Sequence, residues 1–305
     1  MRFIPTETKI DFLKMGKFAI PLSLVVIAFS FYVWFERGAD KYGVDYSGGS
    51  EIVLKVSDEV DSQSLRDALN AGGVTSAVVQ AFEADSNEYS VRVGEMPDGS
   101  DVLPGITTAL KDNLKGSFDV IKTDVVGPTI GKELRKKALT AVVLGLIGML
   151  IYISYRFELA FALGAVMALF HDVVICMGIY LFSGREISVS TLAAALTIVG
   201  YSVNDTIIIF DRCREEMAKS NSLSLYELLN KSINSTLSRT LITSVLTLFS
   251  ALTLLLYGGG AIADLSLFLV LGVIAGTYST IFIASPVVLI WDKFMARREK
   301  GASAQ

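Results

Sequence analysis

The sequence predicts a membrane protein, an α-helical bundle of six transmembrane helices with one α+β domain inserted outside the membrane. Three observations lead to this fold class. Hydrophobic residues make up 52% of the 305 residues and charged residues only 19%, which is more apolar than a typical soluble domain. Six apolar runs approach the roughly 20 residues that a membrane-spanning helix needs. A polar stretch with alternating strand and helix patterns separates the first run from the other five.

The first apolar run covers residues 18–35 and follows a polar N-terminal segment, residues 1–17. A cleaved signal peptide is the competing interpretation, but its apolar part is usually about 7–15 residues long and ends at small residues. This run is longer and ends in the aromatic group Tyr32-Val-Trp-Phe35, which is typical of a membrane interface. An uncleaved transmembrane helix is therefore favoured.

Residues 36–127 contain no apolar run long enough to cross a bilayer. Their periodicity predicts elements in the order β-α-β-β-α-β, which is the ferredoxin-like arrangement. In chain order the predicted elements are strand Glu51–Val56, capped helix Asp61–Asn70, strand Val74–Glu83, turn Ala84–Asn87, strand Glu88–Val93, helix Val102–Leu114 and strand Phe118–Val126, closed by Gly127-Pro128. Such a fold indicates no function by itself.

Five further spans follow the polar domain. They are predicted at residues 138–155, 159–182, 187–210, 241–257 and 265–290, with a polar, partly amphipathic loop at 211–238 and a tail at 291–305. Lys and Arg concentrate in the N-terminal segment, the loop and the tail, which the positive-inside rule assigns to the cytoplasm. The triplet Arg135-Lys136-Lys137 is an exception beside the large outer domain, where the rule is weak. We therefore expect both termini in the cytoplasm and residues 36–127 in the periplasm.

Composition and motifs exclude several classes of protein. The net charge of −4 gives no case for nucleic acid, and a single histidine rules out a multi-histidine metal site. The two cysteines, Cys176 and Cys213, have no metal-type spacing. No phosphate-binding loop, dinucleotide fingerprint, nucleophile elbow or zinc-protease motif is present. We expect no enzymatic activity, no cofactor and no bound metal.

Asp205 is the acid around which the candidate site is organised, because it lies inside the fourth apolar span. A carboxylate at membrane depth costs on the order of 2.5–3.5 kcal/mol, so it normally faces a bundle interior or a wet cavity. Tyr201 and Ser202 precede it by four and three residues and share its helix face. Together with Asn204 and Thr206 they form a polar stripe that can hold water.

Arg239, at the start of the predicted fifth span, is the cation that we expect near Asp205. Burial raises a carboxylate's pKa and a nearby cation lowers it, so an arginine that moves can switch proton binding on and off. We favour this ion-relay hypothesis. The alternative is a permanent hydrogen-bonded pair that only fixes two helices.

His171 and Asp172 lie close to the midpoint of the third span. An imidazole and a second acid at this depth can extend a proton relay, or they can brace neighbouring helices. The residue types leave both interpretations open. At the start of the outer domain, Asp45, Gly48 and Gly49 form a turn in which glycines supply backbone freedom, and we expect it to act as a hinge.

Five motifs carry a resemblance to a known family. They are Val44-Asp-Tyr-Ser-Gly-Gly49, His171-Asp-Val173, Val199-Gly-Tyr-Ser-Val-Asn-Asp-Thr206, Phe210-Asp-Arg212 and Ser238-Arg-Thr-Leu-Ile-Thr243. In this order they closely resemble the signatures of the SecF family of protein-export membrane subunits, over nearly the whole chain. Tyr46 and Ser47 stand where that glycine motif more often has Phe and Thr.

The resemblance implies a function that composition and spacing do not show. Members pair with SecD in the bacterial inner membrane, associate with the SecYEG channel and use the proton-motive force, or in some organisms sodium, to help draw preproteins across. It also implies that Asp205 and Arg239 are the ion-relay pair and that the outer domain moves as the relay cycles. On this basis, Asp205 takes a proton from outside and releases it inward, and the helix shift reaches the outer domain through the first span and the Asp45 turn.

Two other functions remain as alternatives. The chain could be half of a proton-coupled small-molecule exporter of the same resistance-nodulation-division superfamily, although about ninety residues of outer domain leave little room for a substrate cleft. It could also be a passive scaffold of the translocase. The sequence does not separate protons from sodium, since a carboxylate with hydroxyl and amide neighbours serves either ion.

Overall fold

A computed structural model describes residues 8–57, 60–75, 77–81, 87–94, 103–220 and 222–302. In chain order the elements are α1 (Phe12–Glu36), α2 (Val44–Ser47), β1 (Gly49–Val56), α3 (Ser62–Ala71), β2 (Val78–Ala81), β3 (Glu88–Val93), α4 (Leu103–Asn113), β4 (Phe118–Val126), α5 (Pro128–Arg156), α6 (Leu159–Phe182), α7 (Val189–Lys219), α8 (Leu225–Tyr257), α9 (Gly260–Ser279), a π-helical segment (Thr280–Ala284) and α10 (Ser285–Ala302). The predicted fold class, a helical membrane bundle with an inserted sheet domain, is confirmed.

Six helices in the described part of the chain are long and apolar enough to cross a membrane. They are α1, α5, α6, α7, α8 and the continuous run from α9 to α10. Half of the apolar window is buried in α6, in α7 and in the last helix, but only 6% in α5 and 17% in α8. The centre of the bundle therefore consists of α6, α7 and α9, and α5 and α8 lie at its edge.

Small residues allow α7 and α9 to approach each other closely. A Cβ atom built at Gly272 would lie 2.2 Å from Cγ1 of Ile198, and one built at Gly276 would lie 3.1 Å from Cβ of Ser202. Glycines at this spacing are a common means of close helix packing in membranes, where apolar burial contributes little to association. The contact holds the polar face of α7 directly against α9.

We expect Gly272→Ala to destabilise the chain by about 1–3 kcal/mol, because the added methyl group overlaps the buried Ile198 side chain. Gly148→Ala is the matched control, since a Cβ at Gly148 has no atom within 4 Å. The measurement is the unfolding midpoint of each purified variant in a mild detergent. Equal midpoints for the two variants would contradict this packing.

The inserted domain is a four-stranded antiparallel sheet in the order β2-β3-β1-β4. Its core joins Ile52, Leu54 and Val91 of the sheet to Leu65 of α3 and Ile106 of α4. This is the predicted β-α-β-β-α-β order. The predicted capped helix is confirmed, because the Asp61 carboxylate accepts a hydrogen bond from the Ser64 amide at 2.8 Å. Glu83, Val102 and most of the predicted turn at 84–87 lie outside the described residues.

Several helices extend beyond their apolar runs. Helix α1 begins at Phe12, with Asp11 as N-cap, and α5 begins with Pro128 in its first turn. The segment 211–238, predicted as a loop, is largely helical, because α7 continues to Lys219 and α8 begins after Ser224. Capping residues set these ends, whereas the prediction followed the limits of the apolar runs. As a consequence, Arg239 lies near the middle of α8 and not at its start.

Candidate functional site

Asp172 is the centre of a buried polar network at mid-depth in the bundle. Its side chain is fully buried. His171 Nδ1 lies 3.0 Å from Oδ1, while the hydroxyls of Ser202 and Ser279 donate to Oδ2 at 2.6 Å and 2.8 Å. These contacts join α6, α7 and α9 around one carboxyl group.

The network continues from His171 to α1. His171 Nε2 lies 3.0 Å from Ser23 Oγ, which lies 2.9 Å from the Tyr278 hydroxyl. Tyr278 in turn donates to the Ala19 carbonyl at 2.7 Å, and its ring stacks on His171 at 5.7 Å between centroids. Sequence reasoning missed Ser23, Tyr278 and Ser279. The signal for them was present, since each interrupts an apolar run.

Asp205 lies on the same helix as Ser202 but in a different environment. It is 3% exposed, and its Oδ2 is buried without a hydrogen-bond partner among the residues that the structure describes. On the neighbouring helix, the Thr240 hydroxyl is also buried and unpartnered. A buried charged acceptor without a donor costs at least about 1–3 kcal/mol. Among the acids of the membrane helices that the structure describes, Asp205 is thus the one with a buried oxygen open to a proton or a cation.

Arg239, the predicted partner of Asp205, lies nearby but does not form an ion pair with it. No ion pair within 4.0 Å joins Asp205 to Arg239 in the described structure, although the charge of Arg239 acts on the carboxyl group. The Arg239 side chain is exposed in the isolated chain. An acid and a cation that are near each other but not in contact fit a pair that opens and closes. The relay role of the pair stays a prediction.

The polar stripe on α7 divides between the two acids and their neighbours. Ser202 points to Asp172 and not to Asp205. The Tyr201 hydroxyl donates to Ser244 at 3.4 Å, and Thr206 Oγ1 lies 3.1 Å from Thr280 Oγ1. Asn204 is exposed. The stripe therefore links α7 to α6, to α8 and to the π-helical segment (Thr280–Ala284), and its residues do not all lie beside Asp205.

A π-helical segment follows Ser279 at this depth and was not foreseen from the sequence. Its first residue, Thr280, is fully buried and contacts Thr206, one residue after Asp205. Single π-helical turns inside α-helices occur frequently at functional sites, because the extra residue interrupts the regular hydrogen bonding. The segment places an adjustable stretch of backbone against the part of α7 that carries the acid.

The glycine motif is tied directly to the beginning of α7. Asp45 Oδ2 accepts a hydrogen bond from the Val189 amide at 2.8 Å, so it caps that helix. Gly48 and Gly49 have φ angles of 80° and 124°, which other residues rarely adopt. A Cβ at Gly49 would also lie 2.6 Å from the Val93 carbonyl oxygen. The prediction of a single turn is wrong for Asp45, which lies in the short helix α2, whereas Gly48 and Gly49 form the turn from α2 into β1. Together these residues connect the beginning of α7 to the sheet.

The loop 183–188 between α6 and α7 is held by the outer domain and by the chain after α1. Gln80 donates to the Gly184 carbonyl at 2.8 Å, and Arg37 donates to the same carbonyl at 3.0 Å. Arg92 of β3 forms an ion pair with Glu186. Burial lowers the pKa of Arg92, and the charge of Glu51 opposes that shift. The outer domain therefore contacts the loop that leads into α7.

Comparison with known proteins places this architecture in a family. The family model described as "Protein export membrane protein SecD/SecF, C-terminal" matches residues 106–294. The protein translocase subunit SecF of Rickettsia typhi is 36% identical over 95% of this chain and 94% of its own length. That of Calditerrivibrio nitroreducens is 38% identical over 95% and 96%. The chain belongs to the SecF family. As in other SecF subunits, its setting is a membrane-embedded protein translocase.

The SecF fold is also seen in solved structures. The crystal structure of SecDF, a translocon-associated membrane protein from Thermus thermophilus, matches with a TM-score of 0.86 and 34% identity. It covers 95% of this chain, but the chain spans only 40% of that longer protein. SecDF in its super-membrane-facing form matches with a TM-score of 0.72 at 35% identity, and this chain spans 41% of it.

Proposed function

We propose that this SecF-family chain couples an ion gradient to late-stage translocation of preproteins, without enzymatic activity and without a cofactor. The observation that carries the proposal is the buried, unpartnered oxygen of Asp205 with Arg239 close by. A carboxyl group that only braced neighbouring helices would have hydrogen-bond partners at both oxygens, as Asp172 does. An acid that exchanges an ion needs one of those positions open.

The charge on Asp205 controls its attraction to Arg239. When a proton binds, the attraction is lost and α7 and α8 are free to separate; when the proton leaves, they are drawn together. A charge that crosses the full membrane potential gains about 2.3 kcal/mol per 100 mV, which is enough to bias such a shift. Sodium binding to the same carboxylate gives the same neutralisation, so either ion fits.

Motion of α7 has a short route to the outer domain. Asp45 caps α7 at Val189, and the loop just before it carries the contacts to Arg92 and Gln80. The sequence suggested the first span and the Asp45 turn as the route. The contacts support the turn and add the loop 183–188 as a second connection, which reaches the sheet directly.

A partner protein is needed to cover part of the bundle. Asn204 and Arg239 are both exposed in the isolated chain, at the level of the buried Asp205. A charged side chain at this depth faces protein or water and not lipid, because contact with lipid costs several kcal/mol. We propose that SecD covers this face, that lipid surrounds the remaining bundle, and that the pair acts with SecYEG on the exported preprotein.

We also propose the bacterial inner membrane as the location, with both termini in the cytoplasm and the sheet domain in the periplasm. The basic residues outside the membrane helices support this orientation, since Arg156, Lys219 and Lys293 all lie at the helix ends opposite the sheet domain.

The proposal is tested by collapsing the gradient. Proteoliposomes with SecYEG and SecD, with or without this chain, are loaded with a preprotein arrested late in transit, and its release is followed. We expect the stimulation due to the chain to fall to that of liposomes lacking it when a protonophore, or a sodium ionophore, is added. Stimulation that survives both agents would show a passive scaffold.

A further inference from the structure

His171 and Asp172 lie at the end of a hydrogen-bonded chain whose direction can be deduced atom by atom. A carbonyl oxygen only accepts, so Tyr278 uses its single proton on Ala19. The Tyr278 oxygen then accepts from Ser23, which uses the single proton of that hydroxyl. Ser23 Oγ must therefore accept from His171, and Nε2 carries a proton.

The second ring nitrogen completes the deduction. His171 Nδ1 lies 3.0 Å from Asp172 Oδ1, so a proton must lie between these two atoms. It belongs either to Nδ1, which gives an imidazolium and a carboxylate, or to Oδ1, which gives a neutral imidazole and a carboxylic acid. Both arrangements contain the same number of protons and have a net charge of zero. A neutral imidazole beside an ionised Asp172 would leave two lone pairs facing each other.

We infer that His171 and Asp172 form a net-neutral pair that holds one exchangeable proton. The pair is a second proton-binding site, in addition to Asp205. Burial favours this state, because an isolated negative charge in an apolar interior is far more costly than a neutral pair. The groove next to the pair, about 250 Å³, is lined mainly by apolar side chains such as Leu22, Ile179 and Ile274. The role of the His171–Asp172 pair in coupling rests on the proposed function, but the protonation of the pair does not.

Few other titratable groups face the pair. Tyr278 faces it from α9, and Cys176 faces it from one turn further along α6. Helix α7 presents Ser202 and, three residues on, Asp205, while α1 presents Ser23. Ser23 and Tyr278 therefore act as positioning residues, because the direction of their hydrogen bonds keeps a proton on Nε2 of His171.

Because the chain has one histidine, ¹⁵N-histidine labelling of this chain alone, in complex with unlabelled SecD, gives a single imidazole spectrum. We expect solid-state NMR of the full chain with SecD in lipid, at pH 7, to show Nε2 protonated. We further expect either a protonated Nδ1 or an Asp carboxylic-acid infrared band that disappears in Asp172→Asn. In Tyr278→Phe, Ser23 is free to donate to Nε2, so that nitrogen should lose its proton. Tyr152→Phe, at an exposed tyrosine of α5, is the control and should leave the spectrum unchanged.

An unprotonated Nε2 in the native chain would overturn the inference. A neutral ring protonated only at Nε2, with no protonated carboxyl group, would also overturn it. If Tyr278→Phe folds and its ring spectrum matches the native one, Ser23 and Tyr278 do not position the proton. None of these readouts depends on translocation, so a failure here is distinct from a failure of the gradient experiment.

Discussion

Asp205→Asn is expected to abolish the gradient-dependent part of preprotein release, reducing it to the level of liposomes that lack this chain. Asparagine keeps the size of the side chain but takes up no proton and carries no charge to attract Arg239. The fold should lose no more than about 1 kcal/mol of stability, because the lost carboxylate oxygen has no hydrogen-bond partner and the substitution removes its unsatisfied charge. The measurements are stimulated release and the unfolding midpoint of the same preparation.

Asp211→Asn is the matched control for this variant. Asp211 is an acid on the same helix, but it is partly exposed and forms an ion pair with Arg156 at 2.9 Å. Surface pairs of this kind contribute about 0–1 kcal/mol, so the control should release preprotein as the native chain does. Full stimulation of release by Asp205→Asn would show that this acid takes no part in coupling. The passive-scaffold function would then be favoured.

Asp172→Ala is expected to lose about 3 kcal/mol or more of stability, whereas Asp205→Asn loses gradient-dependent release with little change in stability. The substitution leaves the hydroxyls of Ser202 and Ser279 and the ring of His171 without their common acceptor. Each buried polar group that loses its partner costs about 1–3 kcal/mol, and this substitution removes the partner of three such groups. The measurement is the free energy of unfolding in mixed detergent, compared with the native chain.

Ser266→Ala is a suitable control for Asp172→Ala. Ser266 is also fully buried, but its hydroxyl donates to the Ile262 carbonyl of its own helix. Its loss should cost about 1 kcal/mol. If Asp172→Ala is no less stable than this control, the buried network does not brace α6, α7 and α9.

The two acids show what the sequence could predict about the site. An acid inside an apolar helix must be buried, so Asp205 and Asp172 were recognisable from hydropathy alone. Which hydroxyl approaches which acid depends on the rotation of each helix, and i, i+3 spacing on one helix does not determine it. Ser202 was therefore predicted beside Asp205, whereas the close approach of α9 at Gly276 directs it to Asp172.

The fold was predictable where local patterns are strong. Strands β3 and β4 have the predicted bounds because turns and polar residues delimit them. The membrane helices were predicted in number, and α6 has the predicted bounds. The other five differ in length from the prediction, because capped helices continue past the apolar region. The π-helical segment and the contacts of the loop 183–188 arise from tertiary packing, for which a single sequence has no local signal.

The central claim is that Asp205 binds the ion that drives the cycle. Its most direct test is ion uptake, measured as pH change or current across proteoliposomes that contain this chain and SecD, under a proton gradient and then a sodium gradient. We expect uptake by the native chain with one of the two ions and none by Asp205→Asn. Equal uptake by both proteins, with the complex intact, would contradict it.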